Sequence, residues 1–269
     1  MSKLLRRAWA VFKAYLLTEL IRSKSAVFAF LGIALWIVLF TSPTKLFLPF
    51  GESLSQMATG MFIGISIFLL YGTATWDWAT ELRFMINDGR LEYYIASGCG
   101  FMPHFIGILP VSLIWVGIAL VINYVVLSII WGSPNLAVNN PPALILGFIL
   151  LLLNLVSYAL ILGGFIISSG TSGFIVEILG FVMPVITGGF TPLRTVNEPL
   201  RTLALLTPFS YSAEIIRYST IGIKPALEEP LLEIIGCFYA TAFLLVGVAF
   251  FNYQLKKVMR EGFRATSMW

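Results

Sequence analysis

The chain has 269 residues, 58% of them apolar and 11% charged, with a formal net charge of +4. Soluble domains carry about 25% charged residues, so this balance argues against a soluble globular protein and gives no case for a nucleic-acid partner. Six long apolar stretches nearly free of charge fit a bilayer instead, where a charge at the centre costs about 2.5–3.5 kcal/mol on insertion scales. The reading is an all-α polytopic membrane protein with six transmembrane helices and little chain left for a separate soluble domain.

Residues 1–25 carry Lys3, Arg6, Arg7, Lys13, Arg22 and Lys24 among Leu4, Leu5, Trp9, Phe12, Leu16 and Leu20. The apolar residues recur at helical spacing, which predicts an amphipathic helix lying in the membrane interface. It has no small-residue cleavage site ahead of the first span, so no cleavable signal is expected. Span 1 is predicted at Ala26–Phe40 and span 2 at Met57–Thr75. Gly60 and Gly64 form a G-x-x-x-G in span 2, a weak sign of close helix packing.

The polar segment Trp76–His104 follows. Its 29 residues are many for a helix connection, which usually takes about 2–8. It holds Asp77, Glu81, Asp88 and Glu92 against Arg83 and Arg90, with Phe84, Met85, Ile86, Leu91 and Ile95 interspersed. That mixture predicts a docking surface. Span 3 is predicted at Phe105–Trp131, span 4 at Ala143–Ile167 and span 5 at Gly173–Gly189. Asn123 and Asn154 lie in spans 3 and 4, where an amide makes interhelical hydrogen bonds. Glu177 lies near the start of span 5, where the helix dipole favours an anion. It is a candidate for the translocation pathway, as is Asn154, and helix packing or a dimer contact is the competing account.

Between spans 5 and 6, Asn197-Glu198-Pro199 reads as a capped helix start. Pro208 then stops the run, and a second short helix carries Glu214 and Arg217 three residues apart, within pairing distance. Two short helices here predict a re-entrant cap on the outer side, bent at Pro208. If exposed, the Glu214–Arg217 pair contributes about 0–1 kcal/mol, and exchanging the two charges should be tolerated better than reversing one. Span 6 is predicted at Leu231–Tyr253, and 254–269 is a basic tail. The domain division is therefore an interfacial helix at 1–25, a six-span domain at 26–253 and the tail. Lys and Arg count 12 on one side of this topology and 5 on the other, which places both termini in the cytoplasm. Cys99 and Cys237 fall on opposite sides, which argues against an internal disulfide.

A single histidine, His104, leaves no two-His metal site and no base for a serine hydrolase. The absence of G-x-x-x-x-G-K-[ST] means the chain holds no phosphate-binding loop of its own.

Three features resemble the permease subunit of ATP-binding-cassette transporters of the ABC-2 type. They are the amphipathic helix leading into six spans; Asp88-Gly89-Arg90-Leu91-Glu92 with Ile95-Ala96-Ser97, similar to the family's Gly-Thr-Leu-Glu stretch; and the late segment Gly188-Gly189-Phe190-Thr191-Pro192, Leu206-Thr207-Pro208-Phe209-Ser210-Tyr211, Glu214 and Arg217. Arg90 stands where the family has Thr. Gly98 stands where a proline often follows. The resemblance implies a plasma-membrane exporter of a hydrophobic or amphipathic substrate such as a drug, lipid or lipid-linked glycan. It implies a second permease chain, identical or a close paralogue, and two ATPase subunits that bind ATP and Mg. This chain would itself be no enzyme and would bind no cofactor. A cytoplasmic coupling helix between spans 2 and 3 would meet the ATPase through Glu81, Arg83, Asp88, Gly89, Leu91 and Glu92. Besides the bilayer, no other partner is implied. The alternative is an ion- or proton-coupled secondary transporter built around Glu177, although the inverted repeats common in that class are not visible.

Overall fold

Thr18 lies where the first long helix passes from α to π geometry. In the computed structural model its hydroxyl donates to the Ala14 carbonyl at 2.9 Å, a local bond that competes with the helical ladder. Helix α1 (Lys3–Tyr15) gives way there to a π-helical turn, Leu16–Ile21. The chain then bends by 71° into α2 (Ser25–Thr41). The structure describes residues 3–43, 54–96, 101–169, 173–189 and 192–261. Ser97 and Gly98, Cys99, the 170–172 link, Phe190 and Thr191, and the tail beyond 261 lie outside the described residues.

Among the described residues every regular element is helical: α3 (Leu54–Gly72), α4 (Thr80–Asn87), α5 (Arg90–Ala96), α6 (Met102–Ile130), α7 (Pro141–Ser169), α8 (Gly173–Ile186), α9 (Glu198–Leu205), α10 (Pro208–Ile221) and α11 (Glu229–Glu261), with short π and 3₁₀ turns between some of them. Four helical runs are long and apolar enough to cross a membrane, and the bent α1–α2 pair makes up to five. This is the make-up of a multi-pass membrane protein. Helix α8, at 14 residues, is shorter than the roughly 17–25 a span needs.

Three expectations are corrected. The helix of span 2 does not end at Thr75: α3, a π-helical stretch at Thr73–Ala79 and α4 form one run, Leu54–Asn87. That run ends at Asp88-Gly89, where Gly89 takes a φ of +69° that a side chain resists. The last helix does not end with span 6 at Tyr253: α11 continues to Glu261, so the first part of the basic tail, with Lys256, Lys257 and Arg260, is helical. Among the described residues nothing packs closely on Gly60, where a Cβ would meet nothing within 4 Å.

The chain divides into two compact units. The first comprises residues 1–62 and 85–135. In it α1 lies on α6 at Gly107, where a Cβ would come within 2.6 Å of the Ala8 carbonyl oxygen, so only glycine admits the helix this closely. Helix α2 also packs on α6, with the Phe30 and Trp115 rings 4.5 Å apart. Asn123, fully buried, donates to the Phe62 carbonyl at 3.3 Å. Here the predicted interhelical bond is seen directly.

The second unit comprises residues 63–84 and 136–269. Its centre is α7 against α11, brought together where Gly247 faces the Ser157 backbone. Helix α10 fits between them: Ile215 and Ile216 lie over Gly147 of α7, and Tyr211 over Gly236 of α11. The π-helical stretch packs on α7 and α8, with the Trp76 ring over Gly180. Burying small residues under large ones is how helices approach closely where no hydrophobic drive separates protein from lipid.

Candidate functional site

The α8–α11 connection is built around an ionised pair withdrawn from solvent. Pro208 opens α10 at its first turn, where its missing N–H costs no helical bond. Thr207 occupies the capping position in an extended conformation. From that start the helix turns Glu214 and Arg217 inward, and their side chains are 2% and 3% exposed. Arg217 Nη1 donates to Glu214 Oε1 at 3.4 Å. The carboxylate accepts two backbone bonds as well, from Leu193 N–H to Oε1 and from Ala226 N–H to Oε2, both 3.1 Å. Arg217 Nη2 donates to the Gly189 carbonyl. One pair thus ties together the end of α8, the 193–195 turn, α10 and the strand of chain leading to α11. Burial pushes the guanidinium below its ordinary value, and the Glu214 carboxylate beside it opposes that shift.

The small contribution and the tolerance of exchanged charges, expected on the condition that the pair is exposed, therefore do not apply. The pair is buried, so removing either partner strands a charge. Exchanging the charges cannot restore it either, because a cation at 214 would face two N–H donors. Asn197 stands at the capping position of α9, yet its side chain makes no capping bond.

A row of buried polar groups continues from this knot in the same unit. Ser210 Oγ donates to the Thr187 carbonyl at 2.9 Å. Thr187 Oγ1 lies 3.0 Å from the Tyr71 hydroxyl. Asn154 Nδ2 donates to the Pro208 carbonyl at 2.9 Å, anchoring the start of α10 to the middle of α7. Asn154 is fully buried, so within this chain it holds the connection in place. Phe209 fills the space beside it, its ring 5.2 Å from Tyr71, 5.8 Å from Tyr158 and 5.5 Å from Phe243.

Glu177 is not part of this interior. It is exposed on α8 beside Phe174 and Ile178. Sequence reasoning passed over Glu233, which lies inside the sixth apolar stretch and accepts a short hydrogen bond from the Tyr218 hydroxyl. Its position three residues past Pro230, near a helix start, was the available signal.

The segment predicted to dock lies elsewhere in the chain. Glu92 and Asp88 are exposed, and Arg83 and Gly89 are partly buried. Asp88 pairs with Arg90 at 2.9 Å, locking the turn before α5. Glu81 is partly buried on α4. Leu91 is 1% exposed, so it holds α5 down, and the outward apolar side chains are Tyr93 and Phe84. Tyr94 joins α5 to the foot of α6 through its hydroxyl, 3.2 Å from His104 Nδ1. The buried His104 ring also meets Tyr15 edge-on at 5.4 Å, so α1, α5 and α6 converge on it. This gives the lone histidine a packing role. No group of three or more His, Cys, Asp or Glu able to hold a metal occurs among the described residues.

Comparison with protein families finds no family model that matches the chain, and comparison with curated proteins finds no match either.

Proposed function

We propose that the chain is the permease subunit of an ABC-2-type exporter, moving a hydrophobic or amphipathic substrate across the plasma membrane with ATP hydrolysed by a partner. The observation that carries the reading is the α8–α11 connection. A short apolar helix is followed by two short helices, the second tied by the buried Glu214–Arg217 pair, in the order in which the resembling segment runs. Both termini lie in the cytoplasm, α2 and α8 complete six crossings, and the α9–α10 cap closes the outer end of the pathway. Helix α5 is the coupling helix. ATP binding moves it, and Leu91 together with the Tyr94–His104 contact passes that motion to α6. The transporter then shifts between two states that nucleotide biases.

Glu177 fits this reading because an exposed carboxylate on an apolar helix is costly against lipid. The α8 face that carries it meets the second permease chain across the pathway. Glu177→Gln should leave the amount of membrane-inserted protein unchanged and alter transport or its pH dependence. Normal transport by a well-expressed variant would assign Glu177 to packing.

Topology gives a second check. Single cysteines at Gly89 and Lys257 should be shielded from an impermeant thiol reagent in intact cells, while those at Asn139 and Glu228 react. Labelling at Lys257 from outside contradicts the six-span arrangement. The proposal as a whole predicts that the tagged full chain, purified in mild detergent, brings with it an ATPase carrying a phosphate-binding loop. Recovery without any ATPase, from cells in which transport runs, favours the ion-coupled alternative.

A further inference from the structure

Between α1 and the start of α6 lies an apolar cleft of about 490 Å³. Leu5, Ala8, Trp9 and Phe12 form one wall, and Ile106 and Pro110 form the other. The α1 residues follow the i, i+3, i+4, i+7 spacing of a single helix face. Gly107 sets the floor, because its missing side chain lets α1 settle on α6. The cleft is open: Leu5, Trp9, Ile106 and Pro110 are all exposed. Its volume suits a length of hydrocarbon, and its walls are almost wholly apolar, with no charged side chain among them.

The rim is basic. Helix α1 carries Lys3, Arg6, Arg7 and Lys13 and no acid, and α6 has no Asp, Glu, Lys or Arg from Met102 to Ile130, its one histidine being the buried His104. At 100° per residue, Arg6 and Lys13 fall on the flank of α1 next to Trp9. Lys13 Nζ sits 5.5 Å from the centre of the Trp9 ring, and that ring stacks on Phe12 at 5.0 Å. A cation over the aromatic wall of an apolar cleft places positive charge at its mouth. An anion with a hydrocarbon tail complements both features, and in a membrane protein the available molecule of that kind is an anionic phospholipid. We propose that this cleft seats one acyl chain of an anionic phospholipid, with Arg6 and Lys13 holding its phosphate. The bound lipid would fill the space that direct packing of α1 on α6 leaves empty. The inference rests on the membrane character of the chain and is independent of the exporter reading.

Trp9 is the reporter. The full chain is reconstituted in phosphatidylcholine vesicles in which a fixed minor fraction of lipid carries brominated acyl chains, on either phosphatidylglycerol or phosphatidylcholine headgroups. The Trp9 signal is the difference between the wild type and Trp9→Phe. Brominated phosphatidylglycerol should quench it severalfold more than brominated phosphatidylcholine. Arg6→Gln with Lys13→Gln should abolish that excess. So should Ile106→Phe or Leu5→Phe, which fill the cleft from opposite walls and leave every charge in place. Equal quenching by the two lipids in the wild type overturns the proposal, since α1 is then merely bathed in lipid. An excess that survives both cleft-filling variants also overturns it, because general attraction of a basic helix to an anionic surface then accounts for the result.

Discussion

Arg217→Met is expected to destabilise the protein more than any other single substitution in the α8–α11 connection. Removing one member of a buried ion pair costs about 3–5 kcal/mol, because the other charge stays buried without its partner. Here Glu214 would keep its two backbone N–H donors but lose the cation, and Gly189 would lose the donor to its carbonyl. Glu214→Gln should be harmful for a different reason. The amide oxygen can accept from only one side, and its NH₂ then meets a second donor at Ala226 or Arg217. Thermal unfolding of the purified protein in detergent checks both. The double variant Glu214→Gln/Arg217→Met should lose less stability than the two single losses added together, as expected for residues acting as a unit. Exchanging the residues, Glu214→Arg with Arg217→Glu, should rescue nothing. Full rescue by the exchange would show that the pair acts through its charges alone and that the backbone bonds count for little.

The sequence made the i,i+3 spacing of this pair legible, but not its burial. Spacing is local, whereas burial depends on α7 and α11 closing over α10 through Gly147, Gly236 and Gly247, contacts between positions far apart in the chain. The apolar stretches were legible because a bilayer imposes a length and a charge rule on each one separately. Their ends were less so. Residues 76–87 are polar enough to read as loop, yet they continue the helix, because Trp78, Leu82 and Met85 turn one face into the protein and are buried. In the same way the basic residues after 254 marked a tail while remaining compatible with helix, so α11 runs on. Asn154 was legible as a polar group needing a partner. Its partner, the Pro208 carbonyl, was not, because a proline at a helix start frees no N–H and gives no hint that its carbonyl is used elsewhere. Leu91 matched the docking motif by position, and only packing could assign it to the inside.

Glu92→Arg is the second substitution expected to have a large effect, and it should act without loss of fold. Glu92 is exposed on α5, and α5 is secured from beneath by the buried Leu91 and by Tyr94 against His104. A change at Glu92 therefore leaves those supports in place and alters only what α5 presents to a partner. If α5 docks on a basic partner surface, as proposed, reversing this charge sets like against like there, which weakens association and coupling. The variant should insert and melt like the wild type, yet lose substrate-stimulated ATP hydrolysis and transport in the reconstituted complex. Tyr94→Phe separates holding from docking. It keeps the face proposed to meet an ATPase and removes the hydroxyl that reaches His104, so on the exporter reading the ATPase should still bind while stimulation by substrate falls. Unchanged stimulation in both variants would remove α5 from the coupling path.

The central claim is that this chain moves substrate only when another chain hydrolyses ATP. The direct measurement is transport in liposomes holding the purified chain with and without the ATPase that accompanies it, each with and without ATP and Mg. Transport should require the chain, the ATPase and the nucleotide together, and a pH or ion gradient should not replace them. Transport by the chain alone, driven by such a gradient and abolished by Glu177→Gln, would contradict the exporter account and establish the ion-coupled one.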